Sequence, residues 1–365
     1  MAGLYVHVPF CVSKCAYCDF YSVCGRLDLL SPYVDAVHAE ARVWAGMSFE
    51  TLYIGGGTPS LLGVAGLQRL VRGLRDVFDL SSLTEATIEV NPESASEESL
   101  RVAMDLGFSR VSIGAQSLSD HELRSVGRVH SARQAADAVH RAVQLGFSGV
   151  SADVIVGLPG QTAESVRCTL NGLVGLGVNH LSLYCMSLEE GNPLSVSPPP
   201  DLPSDDLQAD LFEEGRDILE GWGFIHYEVS NFCRPGRECL HNLNYWRGGE
   251  YVGLGPAAAS HLGGPRWKNR SDLIAYLDAP SGVREGMEEL SPERKMGEEA
   301  MLRLRLLVEG VSGEAMEERF GDGGKRLISQ LDALAAAGLL AREGSSYRLP
   351  RSRVLTSNHV LAQVL

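Results

Sequence analysis

The sequence predicts an α/β fold: a partial, TIM-like (β/α)6 barrel followed by a small helical C-terminal domain of winged-helix type. Three observations predict it. Short β-rich runs alternate with helical stretches, a Leu-Gly-Phe or Leu-Gly-Val tripeptide recurs where helices end, and a separate helical pattern occupies the last part of the chain. Alternating strands and helices are typical of parallel sheets with crossover helices, so an open doubly wound sheet is the alternative arrangement.

Six β-rich runs mark the predicted strands of the barrel. Neighbouring runs are separated by enough residues for a crossover helix, as parallel pairing requires. Ligands of such folds gather at the C-terminal ends of the strands. The segments GGGTP, NPE, GAQS and GLPGQ directly follow strands and are therefore expected on one rim. The runs are Leu4–Val8, Thr51–Ile54, Ala86–Val90, Arg110–Gly114, Gly149–Val156 and His180–Met186.

Apolar spacing and terminal glycines identify the predicted helices. Between the fourth and fifth runs, Ala132, Ala135, Ala136, Val139 and Val143 recur at helical intervals. Glycine takes the left-handed position after a helix, and a predicted strand follows each Leu-Gly tripeptide. The tripeptides are Leu106–Phe108, Leu145–Phe147 and Leu176–Val178.

The chain divides into three predicted parts. Residues 1–190 form the barrel core, residues 191–285 a barrel extension carrying HNLNYW, and residues 286–365 the winged-helix-like domain. The extension has a proline-rich loop, SPPPDLPSDD, a helix at about Leu207–Gly221 and an irregular segment rich in aromatic residues and glycine. The last part has three helical patterns, GEEAMLRLRLLVEG, GEAMEERFG and KRLISQLDALAAAGLL, followed by a hairpin pattern, AREGSSYRLP.

Composition and charge exclude several classes of function. The 365 residues include 32 basic and 46 acidic side chains, a formal charge of −14, so bulk binding to nucleic acid or to an anionic membrane is not expected. A peripheral membrane contact is left open. No apolar run approaches the roughly 18 residues of a membrane helix, and the N-terminus lacks a secretory pattern, so we expect a cytoplasmic location. In such a chain, eight cysteines favour reduced thiols, metal ligation or catalysis over disulfides.

Three cysteines lie close together in LYVHVPFCVSKCAYCDF, at Cys11, Cys15 and Cys18. Structural zinc sites usually have four ligands in paired motifs, and no partner pair is evident here, so zinc is the less favoured alternative. A [4Fe–4S] cube accepts three thiolates from such a loop and leaves its fourth iron open to an exchangeable ligand. An open iron indicates chemistry on a substrate or cofactor rather than electron transfer alone.

The spacing C-x-x-x-C-x-x-C, followed by an aromatic residue in CDF, resembles the radical S-adenosylmethionine superfamily. The resemblance implies that S-adenosylmethionine chelates the open iron and that one electron from the cube cleaves it to a 5′-deoxyadenosyl radical. YIGGGTPS, with Gly55, Gly56, Gly57 and Thr58, resembles the glycine-rich motif that binds the amino group of this cofactor. Further cofactor-binding residues implied by the resemblance are Tyr5, Glu89, Gln116, Arg128 and Asp153.

Within the superfamily, HVPFC, GLPGQT, HNLNYW and the tail resemble a haem chaperone branch, which is related to oxygen-independent coproporphyrinogen III dehydrogenase. The dehydrogenase continues its motif as C-x-x-x-C-x-x-C-x-C. Phe20 stands at that last position here, and Cys24 is not an obvious substitute. In HNLNYW, His241 can supply an axial nitrogen to haem iron beside Tyr245 and Trp246. The alternative is that His241 is a buried structural histidine.

Three functions follow from these patterns. The main hypothesis is a haem chaperone that binds haem, a [4Fe–4S] cluster and S-adenosylmethionine and passes haem to acceptor haemoproteins. Whether it is also an enzyme, or a homodimer, is left open. The second is the dehydrogenase, which converts two propionates to vinyls. The third is a redox regulator that binds nucleic acid through its tail, which the acidic charge disfavours. Cys239 is a weaker candidate for a haem contact, and Cys168 and Cys185 are expected in the core.

Overall fold

The protein is described from a computed structural model that covers residues 2–190, 192–282 and 284–364. Within these ranges a 12-stranded sheet forms the centre of the molecule, with a three-stranded sheet and a two-stranded pair outside it. In chain order the strands are β1 Ala2–Val8, β2 Phe10–Cys11, β3 Val23–Cys24, β4 Thr51–Gly56, β5 Glu85–Val90, β6 Arg110–Gln116, β7 Gly149–Val156, β8 His180–Cys185, β9 Ile225–Glu228, β10 Asn231–Cys233, β11 Glu250–Leu254, β12 Ala259–His261, β13 Arg266–Asn269, β14 Arg284–Glu288, β15 Val311–Ser312, β16 Ala341–Glu343 and β17 Ser346–Arg348.

Helices cover the outer face of the sheet and build the C-terminal part. No helix among the described residues has both the length and the apolar character needed to cross a bilayer. In chain order the α-helices are α1 Leu30–Ala41, α2 Gly63–Val77, α3 Glu97–Asp105, α4 Asp120–Ser125, α5 Ala132–Leu145, α6 Ala163–Gly175, α7 Pro193–Val196, α8 Asp205–Gly221, α9 Leu240–Trp246, α10 Leu273–Asp278, α11 Pro292–Leu304, α12 Gly313–Phe320, α13 Asp322–Ala336 and α14 Ser357–Leu361.

The six predicted strands are β1, β4, β5, β6, β7 and β8, and they lie side by side in that order, all parallel. A doubly wound sheet would reverse its strand order part-way, so this alternative is wrong and the partial (β/α)6 barrel is confirmed. All six C-terminal ends therefore lie on one rim. The strand bounds differ from the expected ones by at most two residues at either end, and β7 matches them at both.

Side chains alternate between the two faces of each barrel strand. On β4, Leu52 and Ile54 are buried in the core beneath the helices, whereas Tyr53 lines a small interior cavity of about 50 Å³. Most other residues around that cavity are polar, among them Thr87, Ser151 and Asp153. The barrel thus has an apolar outer layer that holds the fold and a polar interior that leads towards the rim.

The segment after the barrel core extends the sheet at both edges. Strand β10 pairs with β8 in antiparallel orientation and β9 pairs with β10, whereas β11 pairs with β1 in parallel and is followed by β12, β13 and β14. Much of this segment has no regular pattern in the sequence, because strands of three to five residues are too short to show one.

The glycines expected to end helices take the left-handed conformation. Gly107, Gly146 and Gly177 have φ of 87°, 89° and 98°, and each lies between a helix and the strand that follows it. The predicted helix between the fourth and fifth runs is α5, which begins with a capping box formed by Ser131 and Gln134.

The tail has its own hydrophobic core, which includes Leu304, Met316, Leu331 and Tyr347. Three helices, α11, α12 and α13, and the sheet β15–β17–β16 follow the order expected for a winged helix. Helix α11 begins five residues before the predicted GEEAMLRLRLLVEG and ends at Leu304, since a turn, rather than a continued helix, leads into β15. It packs against α9 of the barrel extension.

Candidate functional site

A cavity of about 360 Å³ opens at the rim where the barrel strands end. It is the place where the structure brings together most of the residues that the sequence singled out. Its lining includes Cys11, Cys15, Cys18, Gly56, Gly57, Thr58, Glu89, Gln116, Arg128 and Asp153.

The cysteine loop is anchored at both ends. Cys11 belongs to β2, which pairs with β3, and the backbone amide of Val23 donates to the carbonyl of Pro9 across 2.7 Å. Between these strands, the amide of Ala16 donates across 3.1 Å to the carbonyl of Val126, on the segment that precedes Arg128. The loop therefore keeps its three half-buried thiols at the cavity wall.

The glycine-rich turn fits against this loop because it lacks side chains. Gly56 ends β4 with φ of 111°, and a Cβ added there would lie 2.7 Å from the ring of His7. A Cβ added at Gly57 would lie 2.6 Å from the carbonyl oxygen of Phe10 and 3.0 Å from the sulfur of Cys11. The two motifs are thus packed too closely for any larger residue at Gly57.

A chain of side-chain hydrogen bonds connects two of the three thiols. The hydroxyl of Thr58 donates to the sulfur of Cys11 across 3.7 Å and accepts from the side-chain amide of Asn91 across 3.0 Å. Arg128 donates from Nη2 to Oδ1 of Asn91 across 3.1 Å and from Nη1 to the sulfur of Cys15 across 3.5 Å. Residues that follow β4 and β5, together with Arg128 between α4 and α5, therefore hold Cys11 and Cys15 in fixed positions.

Besides the exposed Asp19, two carboxylates that are more shielded from solvent, Glu89 and Asp153, line the cavity without an ion-pair partner among the described residues. Glu89 accepts from the hydroxyl of Tyr53 across 2.7 Å and from the amide of Gly56 across 3.0 Å. Burial, together with the charge of Asp153, raises the pKa of Glu89 to about 7. Burial also raises the pKa of Asp153, although hydrogen bonds from Ser182 and Ser112 oppose this. Buried acids of this kind are stabilised by a cation in the cavity.

Gln116 takes a conformation that is rare for its residue type. Its φ is 62°, and the pairing of β6 with β7 shifts register between Ile113 and Gln116. The irregularity turns the end of β6, so that Gln116 and Gly114 both line the cavity. Backbone strain of this kind is concentrated at binding sites.

Tyr5, expected at the cofactor, does not line the cavity. Its hydroxyl is hydrogen-bonded to Nδ1 of His7 at 3.0 Å, and Nε2 of His7 is within 2.8 Å of the carbonyl of Tyr21. Since a carbonyl only accepts, Nε2 carries the proton and Tyr5 donates to Nδ1. Tyr5 therefore positions His7, whose ring packs against Gly56.

His241 lies at the opposite end of the barrel from the cavity. Its Nδ1 is hydrogen-bonded at 2.8 Å to the hydroxyl of Thr51, the first residue of β4, and its Nε2 at 2.8 Å to that of Tyr245. The ring also stacks on Tyr53, with 5.2 Å between centroids. Burial lowers the pKa of His241 to about 3. In this conformation neither ring nitrogen is free to bind a metal.

The remaining cysteines differ from expectation in part. Cys239 is buried near the N-terminus of α9, where its thiol donates to Glu85 across 3.5 Å. Cys168 and Cys185 are both exposed, so their expected place in the core is wrong. Cys168 lies on the outer face of α6, and Cys185 ends β8 at the cavity. A cysteine in a helix or strand does not by itself show which face it occupies.

Several lining residues were not among the cofactor-binding residues expected from the sequence. Asn91 connects Thr58 to Arg128, and Ser112 donates to Asp153 across 3.1 Å. Asn91 belongs to NPE, which the sequence placed on the rim without a role for this residue, whereas Ser112 lies within a buried strand and has no sequence signal. Phe20 also lines the cavity and is 67% exposed.

The donor set fits an iron–sulfur cube and a cationic cofactor. Three soft thiols line one wall of the cavity, and two carboxylates without a cation line it further in. In the described ranges, no group of three or more His, Cys, Asp and Glu side chains is arranged to hold a single metal ion.

Comparison with known proteins identifies two matching families along the chain. Residues 5–171 match the radical SAM superfamily, and residues 290–352 match the HemN C-terminal domain. The chain is 38% identical over 320 residues to the heme chaperone HemW of Lactococcus lactis, covering 87% of this chain and 84% of that protein. It is 32% identical to the heme chaperone HemW of Bacillus subtilis, covering 100% of this chain and 99% of that protein.

Among solved structures, the chain is similar to coproporphyrinogen III oxidase (HemN) from Escherichia coli. The TM-score is 0.87 with 24% sequence identity, and the match covers 100% of this chain and 89% of that one. At this level of identity the likeness shows the shared fold of barrel and C-terminal domain and carries no argument about activity.

Proposed function

Because this chain belongs to the HemW family of radical SAM proteins, we propose that it is a haem chaperone. It binds a [4Fe–4S] cluster and S-adenosylmethionine in the cavity at the barrel rim, binds haem, and passes the haem to acceptor haemoproteins. The single observation that supports the cofactor site best is the cavity itself, which has three thiols at one wall and two unpaired carboxylates beyond them.

Each part of the cavity has a role in this proposal. Cys11, Cys15 and Cys18 hold the cluster, which leaves one iron for the amino and carboxylate groups of S-adenosylmethionine. The turn at Gly56 and Gly57 lets the backbone approach that amino group. When bound, the two cofactors supply one-electron chemistry at the sulfonium.

The chain's own residues determine how this site behaves. Glu89 and Asp153 provide negative charge for a ligand that carries both an ammonium and a sulfonium group, which favours binding of the cation. Arg128 places a positive charge against Cys15, 3.5 Å from its sulfur, which offsets the negative charge of the three thiolates. The barrel surrounds the inner end of the cavity, where a lower effective dielectric strengthens these interactions.

Haem binding in this proposal is supported by the relatives, both of which are named heme chaperones. His241, which the sequence suggested as the haem ligand, has both ring nitrogens hydrogen-bonded, so it can bind haem iron only if Thr51 and Tyr245 release it. We therefore propose that the chain binds haem without His241 as its iron ligand in this conformation.

The proposal is tested by haem transfer under anaerobic conditions. The cluster-loaded protein is mixed with haem, separated from free haem, and incubated with an apo-haemoprotein whose spectrum changes when haem binds. We expect stoichiometric haem binding and transfer faster than from an equal amount of haem on serum albumin. Transfer no faster than from albumin would contradict a chaperone function.

The same preparation tests the dehydrogenase alternative. Incubation with coproporphyrinogen III, S-adenosylmethionine and a reductant forms protoporphyrinogen if the alternative is correct. We expect none, because Phe20 occupies the position of the last cysteine of the dehydrogenase motif and its ring lies at the cavity, 67% exposed. Formation of protoporphyrinogen over many turnovers per protein would contradict the chaperone proposal and show that the protein is the dehydrogenase.

A further inference from the structure

Cys24 lies beside the first cysteine of the cluster loop, although 12 residues separate the two in the chain. Strands β2 and β3 pair in parallel, with Phe10 opposite Val23 and Cys11 opposite Cys24. Neighbouring strands are about 4.8 Å apart, and directly paired residues point to the same face of the pair. The Cα atoms of two disulfide-linked cysteines are usually about 4.4–6.8 Å apart. The pairing therefore brings Cys11 and Cys24 within the range of a disulfide.

The two thiols differ in their surroundings. Cys11 is half-buried and lines the cavity, whereas Cys24 is exposed and lies outside the cavity lining. Cys24 is thus accessible to small oxidants from solvent. Its exposure distinguishes it from the three thiols that line the cavity.

We propose that Cys24 is a resolving thiol that captures Cys11 in a disulfide when the protein is without its cluster. A peroxide oxidises one thiol to a sulfenic acid and releases one water. The sulfur of the other cysteine then displaces the sulfenic oxygen, which leaves with the thiol proton as a second water. Overall, two thiols and one hydrogen peroxide give one disulfide and two waters. A dithiol reductant reverses the link by thiol–disulfide exchange.

The consequence is protection of a cluster ligand. While Cys11 is in the disulfide it cannot be oxidised to the sulfinic acid, which simple thiols do not reverse. It also cannot bind iron until the disulfide has been reduced. The other two cysteines of the loop form a C-x-x-C pair of their own, Cys15 and Cys18, so the four thiols can be oxidised as two pairs.

The experiment uses full-length, cluster-free protein treated with a small excess of hydrogen peroxide, alkylated and digested with trypsin. Cleavage after Lys14 and Arg26 separates Cys11 from the peptide that carries the other three cysteines of this region. We expect the two peptides to be joined, with fragmentation placing the link at Cys24. In Cys24→Ser, we expect the yield of the disulfide-linked peptides to fall at least tenfold. The fraction of Cys11 in the sulfinic form should increase.

Cys168→Ser is the matched control, because Cys168 is also exposed but lies on α6, away from this pair. It should form the joined peptides as wild type does. A link from Cys11 to Cys15 or Cys18, or an equal yield in Cys24→Ser, overturns the proposal. A changed cluster spectrum in loaded Cys24→Ser overturns it as well, because Cys24 would then be a ligand. Haem transfer is measured separately, so failure of the disulfide and failure of the chaperone function remain distinguishable.

Discussion

Arg128 donates from its guanidinium to the sulfur of Cys15 across 3.5 Å, so a fixed positive charge lies against one of the three proposed cluster ligands. The same guanidinium donates to Asn91, which donates in turn to Thr58 beside Cys11. The rim of the barrel therefore controls both the position and the electrostatic environment of the cysteine loop.

Replacing Arg128 by Met is expected to lower the reduction potential of the loaded cluster. Reduction adds negative charge to the cluster, and the nearby guanidinium stabilises that charge. Removing the guanidinium is expected to destabilise the reduced cluster by on the order of 1–3 kcal/mol. Arg128→Lys keeps the charge and should shift the potential much less. The measurement is a redox titration followed by electron paramagnetic resonance. Equal reduction potentials in wild type and Arg128→Met would show that the charge of Arg128 does not affect the cluster.

The affinity for S-adenosylmethionine is expected to rise with pH through about pH 7 and to level off above about pH 8. Without a cationic ligand, Glu89 keeps its proton up to a pKa of about 7, raised from 4.5 mainly by burial. A cation binds better to the ionised carboxylate, so binding releases the proton and affinity rises about tenfold between pH 6 and pH 8. The reverse sign holds for folding, because the folded chain loses stability as pH rises from 4.5 towards 7.

Calorimetric titration at several pH values measures this dependence. Glu89→Gln, which cannot ionise, should bind more weakly at pH 8 and show a much flatter profile. A profile as steep as that of wild type in Glu89→Gln would assign the proton to another group.

Gly57→Ala is expected to abolish stable cluster loading while the barrel still folds. The added Cβ would lie 2.6 Å from the carbonyl of Phe10 and 3.0 Å from the sulfur of Cys11, so the cysteine loop must move away. Gly175→Ala is the control, since nothing lies within 4 Å of a Cβ added there. Iron per chain after anaerobic reconstitution, with circular dichroism for the fold, measures the effect. Full iron content in Gly57→Ala would contradict this packing.

His241→Ala is expected to cost stability rather than haem affinity. It removes a buried ring and leaves the hydroxyls of Thr51 and Tyr245 without a partner, a loss of about 2–4 kcal/mol. His180→Ala is the matched control, because His180 is also buried and is hydrogen-bonded to Ser151 and Tyr227 at the same end of the barrel. Denaturant unfolding and haem titration of both variants measure the two effects. A loss of haem affinity in His241→Ala alone would contradict this expectation and identify His241 as the iron ligand.

Much of the fold could be predicted from sequence because the barrel strands are long and regularly spaced. Strand β7 was predicted to the residue, and the glycines that end α3, α5 and α6 are visible as Leu-Gly tripeptides. The strands β9 to β14 could not be predicted, since each is short and depends on pairing with a barrel edge rather than on its own pattern.

The site could be predicted where residues of distinctive chemistry directly follow a predicted strand. The cysteine spacing and the glycine-rich turn follow strands directly, so both could be placed on the rim. The pairing of Cys24 with Cys11 depends on a ladder of two residues, and the environment of His241 depends on Thr51, which is 190 residues away. Contacts of this kind arise from tertiary packing, which no local pattern records.

The most direct test of the account is anaerobic reconstitution with iron and sulfide, followed by electron paramagnetic resonance of the reduced protein with and without S-adenosylmethionine. We expect about four irons per chain and a cluster signal that changes when the sulfonium compound is added. In a variant with Cys11, Cys15 and Cys18 all changed to Ser, the signal should be absent. A preparation that binds only zinc, or a cluster signal that is identical with and without S-adenosylmethionine, would contradict the central claim that this cavity holds a cube with one open iron.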